Sequence, residues 1–141
     1  MKPGTCVWKV ITVAMVLVGL VGEVAAQDYP SRAITVVVPF PPGGASDVVA
    51  RIVSNQMSKI LSQSIIIENV SGAGGTVGSA RVAGATPDGY TLLAAAMGSH
   101  VAAPVLTPNL KYDPVADFVP IGFTAHSPAV IIARKDFRQR T

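Results

Sequence analysis

Two stretches of this 141-residue chain combine bare glycines with the start of a helix-like pattern. They are Pro39-Phe40-Pro41-Pro42-Gly43-Gly44-Ala45-Ser46-Asp47 and Gly72-Ala73-Gly74-Gly75-Thr76-Val77-Gly78. A turn of this kind brings exposed backbone N–H groups and the positive end of a helix to one spot, which suits the capture of a small anion. The bland alternative is a tight strand-to-helix connection and nothing more. A second glycine turn at the equivalent place favours a site over that alternative. Asp47 falls in the first helical turn, where the dipole favours a carboxylate but an anionic ligand would be repelled. It reads mainly as a residue that shapes the loop, and Ser46 or Asp47 could cap the helix. A ligand that also carried an amine would give Asp47 a partner.

Other chemistries lack their residues. Neither loop ends in Gly-Lys-Ser/Thr, so the lysine and Mg²⁺ ligand of a P-loop are missing. Gly72 and Gly74 begin a Gly-x-Gly-x-x-Gly pattern, but Val77 stands where the third glycine belongs and Gly78 comes late. A third turn carries Ser99 and His100, whose hydroxyl and imidazole could reach the same crevice; a lone histidine is more often structural. His126, late in a strand-like stretch, has less claim. No His, Cys, Asp or Glu cluster has metal-ligand spacing, no serine occupies a Gly-x-Ser-x-Gly elbow, and no two carboxylates form an evident pair. No metal, cofactor or catalytic residue is expected, and the chain does not read as an enzyme.

The elements that would hold these turns alternate strand and helix. Ile34 to Val38 is β-branched throughout and halts at Pro39, as a strand covered on both faces would. Val48, Val49, Ile52, Val53, Met57, Ile60 and Leu61 recur at three- and four-residue steps, predicting an amphipathic helix with Arg51, Asn55 and Lys59 on its wet side. Ser64 to Glu68 predicts a second strand and Val77 to Ala83 a second helix. Tyr90 to Ala95 predicts a third strand, followed by the Met97-Gly98-Ser99-His100 turn and a short apolar piece, Val101 to Leu106. Val119 to Phe123 and Ala129 to Ala133 resemble two further strands. The repeated strand–turn–helix order predicts an α/β fold with right-handed crossovers and helices on both faces of a parallel sheet. Ligands of such sheets bind beyond the carboxyl ends of the strands, where all three turns would lie.

The beginning of the chain reads as an address. Lys2 and Lys9 precede or border the apolar run Val10 to Val21, and Val24-Ala25-Ala26 offers small residues for cleavage, so residues 1–26 are expected to be a secretory signal peptide. The run falls short of the roughly 20 apolar residues of a membrane-spanning helix, so no permanent anchor is expected. The single cysteine, Cys6, lies within that segment, and a mature domain without disulfides would rely on its hydrophobic core. The formal net charge is +3, but the signal carries Lys2, Lys9 and Glu23, and Arg134, Lys135, Arg138 and Arg140 lie together in a tail. The body is close to neutral, which argues against a nucleic-acid partner.

Several motifs together resemble the tripartite tricarboxylate transporter substrate-binding family, the Bug receptors. They are Tyr29-Pro30-Ser31-Arg32, the Pro39 to Gly44 turn with Asp47, Gly72-Ala73-Gly74-Gly75, Pro87-Asp88-Gly89-Tyr90-Thr91-Leu92-Leu93, and Tyr112-Asp113-Pro114-Val115-Ala116-Asp117-Phe118. The resemblance implies a periplasmic solute receptor for small carboxylates, partnered by transporter membrane subunits. It also implies a three-layer parallel-sheet lobe of the periplasmic-binding-protein type II kind over residues 27–141, with the second lobe largely missing. The implied cleft wall is formed by Phe40, Pro42, Gly43, Gly44, Ala45, Ser46 and Asp47 with Ser99 and His100, gripping a carboxylate through backbone amides, hydroxyls and ordered water. Gly74 and Gly75 either touch the ligand or support the first loop. The competing readings are a nucleotide- or phosphate-using α/β enzyme and a fragment without a ligand.

Overall fold

The computed structural model describes residues 29–126, together with Ile132. The expected signal segment, the strand expected over 129–133 (apart from Ile132) and the basic tail lie outside the described residues. Strand β1 is Ile34–Val38, β2 is Ile65–Asn69 and β3 is Thr91–Leu93, and all pair in parallel in the order β2-β1-β3. β1 therefore lies centrally, which explains its unbroken β-branched sequence: Ile34, Val36, Val37 and Val38 are all buried. Its register sets Ile34 beside Ile65, Val38 beside Asn69 and Val36 beside Leu92.

Helix α1, Ala45–Leu61, joins β1 to β2, and helix α2, Thr76–Ala83, lies between β2 and β3. The chain steps one way from β1 to β2 and back across β1 to β3, so right-handed crossovers place the two helices on opposite faces. Side chains report the same layering. Successive strand residues point to opposite faces. At the end of β2, Glu68 takes both guanidinium nitrogens of Arg81 from α2 at 2.5 and 2.8 Å, while Asn69 accepts from Arg51 of α1 at 3.2 Å. The result is the three-layer α/β sheet that the strand–helix alternation predicts.

Some expectations change. The second strand begins at Ile65 and extends to Asn69, one residue beyond the predicted span, and the third is confined to Thr91–Leu93. The apolar piece after the third turn is helical, as the third strand–turn–helix unit predicts, but the helix starts inside the turn: a single π turn over Gly98–Ala102 leads into α3, Ala103–Leu106. Val119 to Phe123 forms no strand, and Val119, Ile121 and Phe123 are 81–88% exposed. Their β-propensity is not enough without a neighbouring strand, and β3 pairs only with β1 among the described residues. Val48, Ile52 and Ile60 of α1 are also exposed, whereas Ala50 and Ser54 are buried, so the buried stripe is narrower than the apolar one.

At the opposite end of the sheet, the stretch before β1 is fastened to the turn before β3. The Tyr29 hydroxyl donates to the Gly89 carbonyl at 2.7 Å, the Ser31 N–H donates to the Tyr90 hydroxyl at 2.8 Å, and Arg32 pairs with Asp88 at 2.8 Å while lying 3.8 Å over the Tyr90 ring. Two of the sequence motifs, 29–32 and 87–93, are thus one structural clasp.

Candidate functional site

The three turns meet at the carboxyl edge of the sheet. Phe40 fixes their spacing: a Cβ built on Gly75 would stand 3.1 Å from Phe40 Cζ and 3.1 Å from Ser99 Cβ, and one on Gly98 would stand 3.4 Å from the Gly74 carbonyl oxygen. The second and third turns are therefore packed around the ring of the first. Gly78 allows α2 to lie against the end of β1, since a Cβ there would fall 2.6 Å from the Val70 oxygen and 2.9 Å from Pro39 Cβ.

The first turn is open to solvent. Pro42, Gly43, Gly44 and Ala45 are exposed and Ser46 is half-buried. Gly43 adopts φ +81°, and Gly44 caps α1 in an extended conformation without a side-chain cap bond, so neither Ser46 nor Asp47 serves as the cap. The first rung of the helix runs from the Val48 N–H to the Gly44 oxygen at 3.0 Å. The N–H groups of Ala45, Ser46 and Asp47 precede that ladder and have no intrahelical acceptor. Three donors and the helix dipole thus converge beside Gly43 and Gly44.

Asp47 does not face this opening. Its side chain is 3% exposed, with Oδ2 accepting from the Gly43 N–H at 2.8 Å and Arg51 Nε at 2.9 Å, and Oδ1 accepting from Asn69 Nδ2 at 2.9 Å. The hydrogen bond from Arg51, followed by those from Gly43 and Asn69, holds its carboxyl far below the usual carboxylate range. Asn69 Nδ2 also donates to the Phe40 oxygen at 3.1 Å. Asp47 shapes the loop, as the sequence suggests, and its charge is matched within the protein. Asn69 and Arg51 are parts of this site that sequence reasoning missed. The one available signal was the four-residue step from Asp47 to Arg51, which suits an ion pair on a helix.

In the second turn the N–H groups of Gly75 and Thr76 are turned inward. Gly75 N–H donates to Gly72 oxygen at 2.9 Å, Thr76 N–H closes onto the Ala73 oxygen, and Thr76 Oγ1 donates to the same oxygen at 3.1 Å. Gly74 is exposed and Gly75 is buried. In the third turn Ser99 is fully buried, its Oγ lying 3.1 Å from both the Ala96 oxygen and His100 Nδ1. The Tyr112 hydroxyl donates to the Ser99 carbonyl, tying the following segment beneath the turn. His100 is half-buried between Tyr112 and Phe118, with ring centroids 5.9 and 4.9 Å away, and burial holds its pKa below the ordinary histidine value. The imidazole is therefore predominantly neutral at pH 7 and brings little positive charge to the edge. Among the described residues, no group of three or more His, Cys, Asp or Glu could hold a metal ion, and no helix is long and apolar enough to cross a membrane.

Comparison with known proteins identifies the family. The sequence model of the family described as "Tripartite tricarboxylate transporter family receptor" matches residues 49–141. A UPF0065 protein of Agrobacterium vitis is 48% identical over 117 residues, which cover 82% of this chain and 34% of the relative. Among solved structures, MatC from Rhodopseudomonas palustris with bound malate superposes with a TM-score of 0.66 at 50% identity, covering 68% of this chain and 33% of that one. The periplasmic binding protein BugD superposes with a TM-score of 0.61 at 41% identity, covering 67% of this chain and 31% of its own. The chain spans about a third of the length of the relatives it matches. With this match running from within α1 to Thr141, the chain belongs to the tripartite tricarboxylate transporter receptor family, a family of solute-binding receptors and not of enzymes.

Proposed function

We propose that this chain forms one wall of a periplasmic solute-binding cleft that captures a small carboxylate at the first glycine turn. The observation that carries the reading is the set of N–H groups of Ala45, Ser46 and Asp47, ahead of the helical ladder and beside the exposed Gly43 and Gly44. A carboxylate oxygen placed there would receive backbone hydrogen bonds and the favourable end of the α1 dipole. The Phe40 ring and the second turn would hold that loop in place. The third turn would contribute its edge through His100 and the backbone, with the Ser99 hydroxyl serving inside the turn. Residues 1–26 would direct export, and a ligand-loaded two-lobed receptor would deliver its cargo to the membrane subunits of a tripartite transporter. Closure of such a cleft needs a second lobe opposite this wall.

The bound malate of MatC makes a dicarboxylate the first ligand to try. Calorimetric titration with malate, a panel of other small carboxylates, ATP and NAD tests the reading. Saturable heat with a carboxylate and none with the nucleotides is expected. Nucleotide binding in place of carboxylate binding would overturn it in favour of a phosphate-using α/β protein, and silence with every compound would favour a fragment without a ligand.

A further inference from the structure

The first glycine turn is held in shape by a residue from another strand. Asn69, the last residue of β2, uses one amide nitrogen to reach both the Phe40 oxygen at 3.1 Å and Asp47 Oδ1 at 2.9 Å. Its own oxygen accepts from Arg51 Nη2 at 3.2 Å, while Arg51 Nε holds Asp47 Oδ2. Asp47 in turn accepts the Gly43 N–H at 2.8 Å. The beginning of the turn at Phe40, its bend at Gly43 and the first turn of α1 are therefore all referred to a single side chain on β2. The Gly43 N–H has no backbone acceptor and relies on Asp47, and the Gly44 N–H reaches the Pro41 oxygen only at 3.4 Å.

We propose that Asn69 is the positioning residue of the first glycine turn: it fixes the Phe40 carbonyl and the Asp47 carboxylate relative to one another, and so sets where the N–H groups of Ala45, Ser46 and Asp47 point. Arg51 completes the device by matching the charge of Asp47, which would otherwise oppose an anion at the same helix end. The effect on a ligand rests on the carboxylate reading; the effect on the turn does not.

Asn69→Asp keeps the shape and replaces the amide donor with a carboxylate. The charged groups on its side are Asp47 and Arg51 from α1; the turn from Pro39 to Gly44 adds none, and Glu68 with Arg81 belongs to the other face of β2. Beside Asp47 the introduced carboxyl should titrate above its ordinary value, and when protonated it again has a hydrogen to donate. In the parent chain the hydrogen bonds from Arg51 and Gly43 are the two largest causes holding the Asp47 carboxyl far below the usual carboxylate range; both remain in Asn69→Asp, so the introduced carboxyl is the one that takes up the proton first. Asn69→Ala removes the donor at every pH.

The test follows the Gly43 amide by ¹⁵N NMR and hydrogen exchange, and malate affinity by calorimetry, from about pH 7.5 to pH 5, always against the parent chain at the same pH. At the upper pH both variants should shift the Gly43 resonance, speed its exchange and weaken malate binding roughly tenfold to a hundredfold. On acidification Asn69→Asp should return toward the parent in all three readouts, while Asn69→Ala should not. An unmoved Gly43 amide in both variants, or equal losses without acid recovery in Asn69→Asp, would overturn the proposal. If the parent binds no carboxylate, the functional reading fails, and the Gly43 amide still decides the role of Asn69.

Discussion

The two glycine turns look alike in sequence and are used in opposite ways. In the first, Gly43 and Gly44 stay exposed and three N–H groups lie ahead of the α1 ladder. In the second, Gly75 is buried beneath Phe40 and Ser99, and the N–H groups of Gly75 and Thr76 close the turn on itself. Glycine serves the first by leaving backbone uncovered and the second by letting neighbours approach. A glycine between strand and helix therefore does not identify an anion site until the partners of its N–H groups are counted.

The sharpest way to separate the turns is to fill each with a side chain. Gly78→Val, in the helix after the second turn, would drive a branched side chain into the Val70 oxygen and Pro39, and should cost about 2–4 kcal/mol of stability in denaturant unfolding. Gly44→Val should do the reverse. Gly44 is extended and a Cβ there meets only the Pro41 oxygen at 3.4 Å, so stability should stay within about 1 kcal/mol of the parent while carboxylate binding is lost. Retained affinity in Gly44→Val, with unfolding by Gly78→Val, would leave the second turn structural and remove the first from the site.

A smaller effect comes from acid. His100 is held below its ordinary pKa by burial, so the unfolded chain takes up a proton first as pH falls. The stability it contributes is present above about pH 6.5 and declines below it. Thermal unfolding from pH 7.5 to 5.5 should therefore show a falling midpoint, and His100→Phe should flatten that slope. Asp47 works further down: its depressed carboxyl contributes stability above the unfolded value near pH 4 and loses it as pH drops, a loss that Asp47→Asn should remove from the profile. The smallest change should follow Arg32→Ala at the far clasp, where an exposed ion pair and a cation–π contact predict about 1 kcal/mol or less and no change in affinity.

Much of this was legible locally. The run Ile34 to Val38 was marked as a covered strand by its β-branched residues and Pro39, and the loops followed from where strands end and helical periodicity begins. Asn69 was not legible because its partners, Phe40 and Asp47, are 29 and 22 residues away. Arg51 was correctly placed on the wet face of α1, yet its head group turns back to a buried carboxylate, which helical periodicity does not encode. Val119 to Phe123 failed for a related reason: β-propensity is a local quantity, whereas a strand needs a partner.

The division of labour between the turns is tested most directly by titrating malate into ¹⁵N-labelled protein and following the backbone amides. Saturable shifts concentrated on Gly43 to Asp47, with Gly75 and Thr76 nearly still, are the predicted result. Shifts centred on Gly72 to Thr76, with the first turn unmoved, would contradict the assignment of the first turn as the anion cradle.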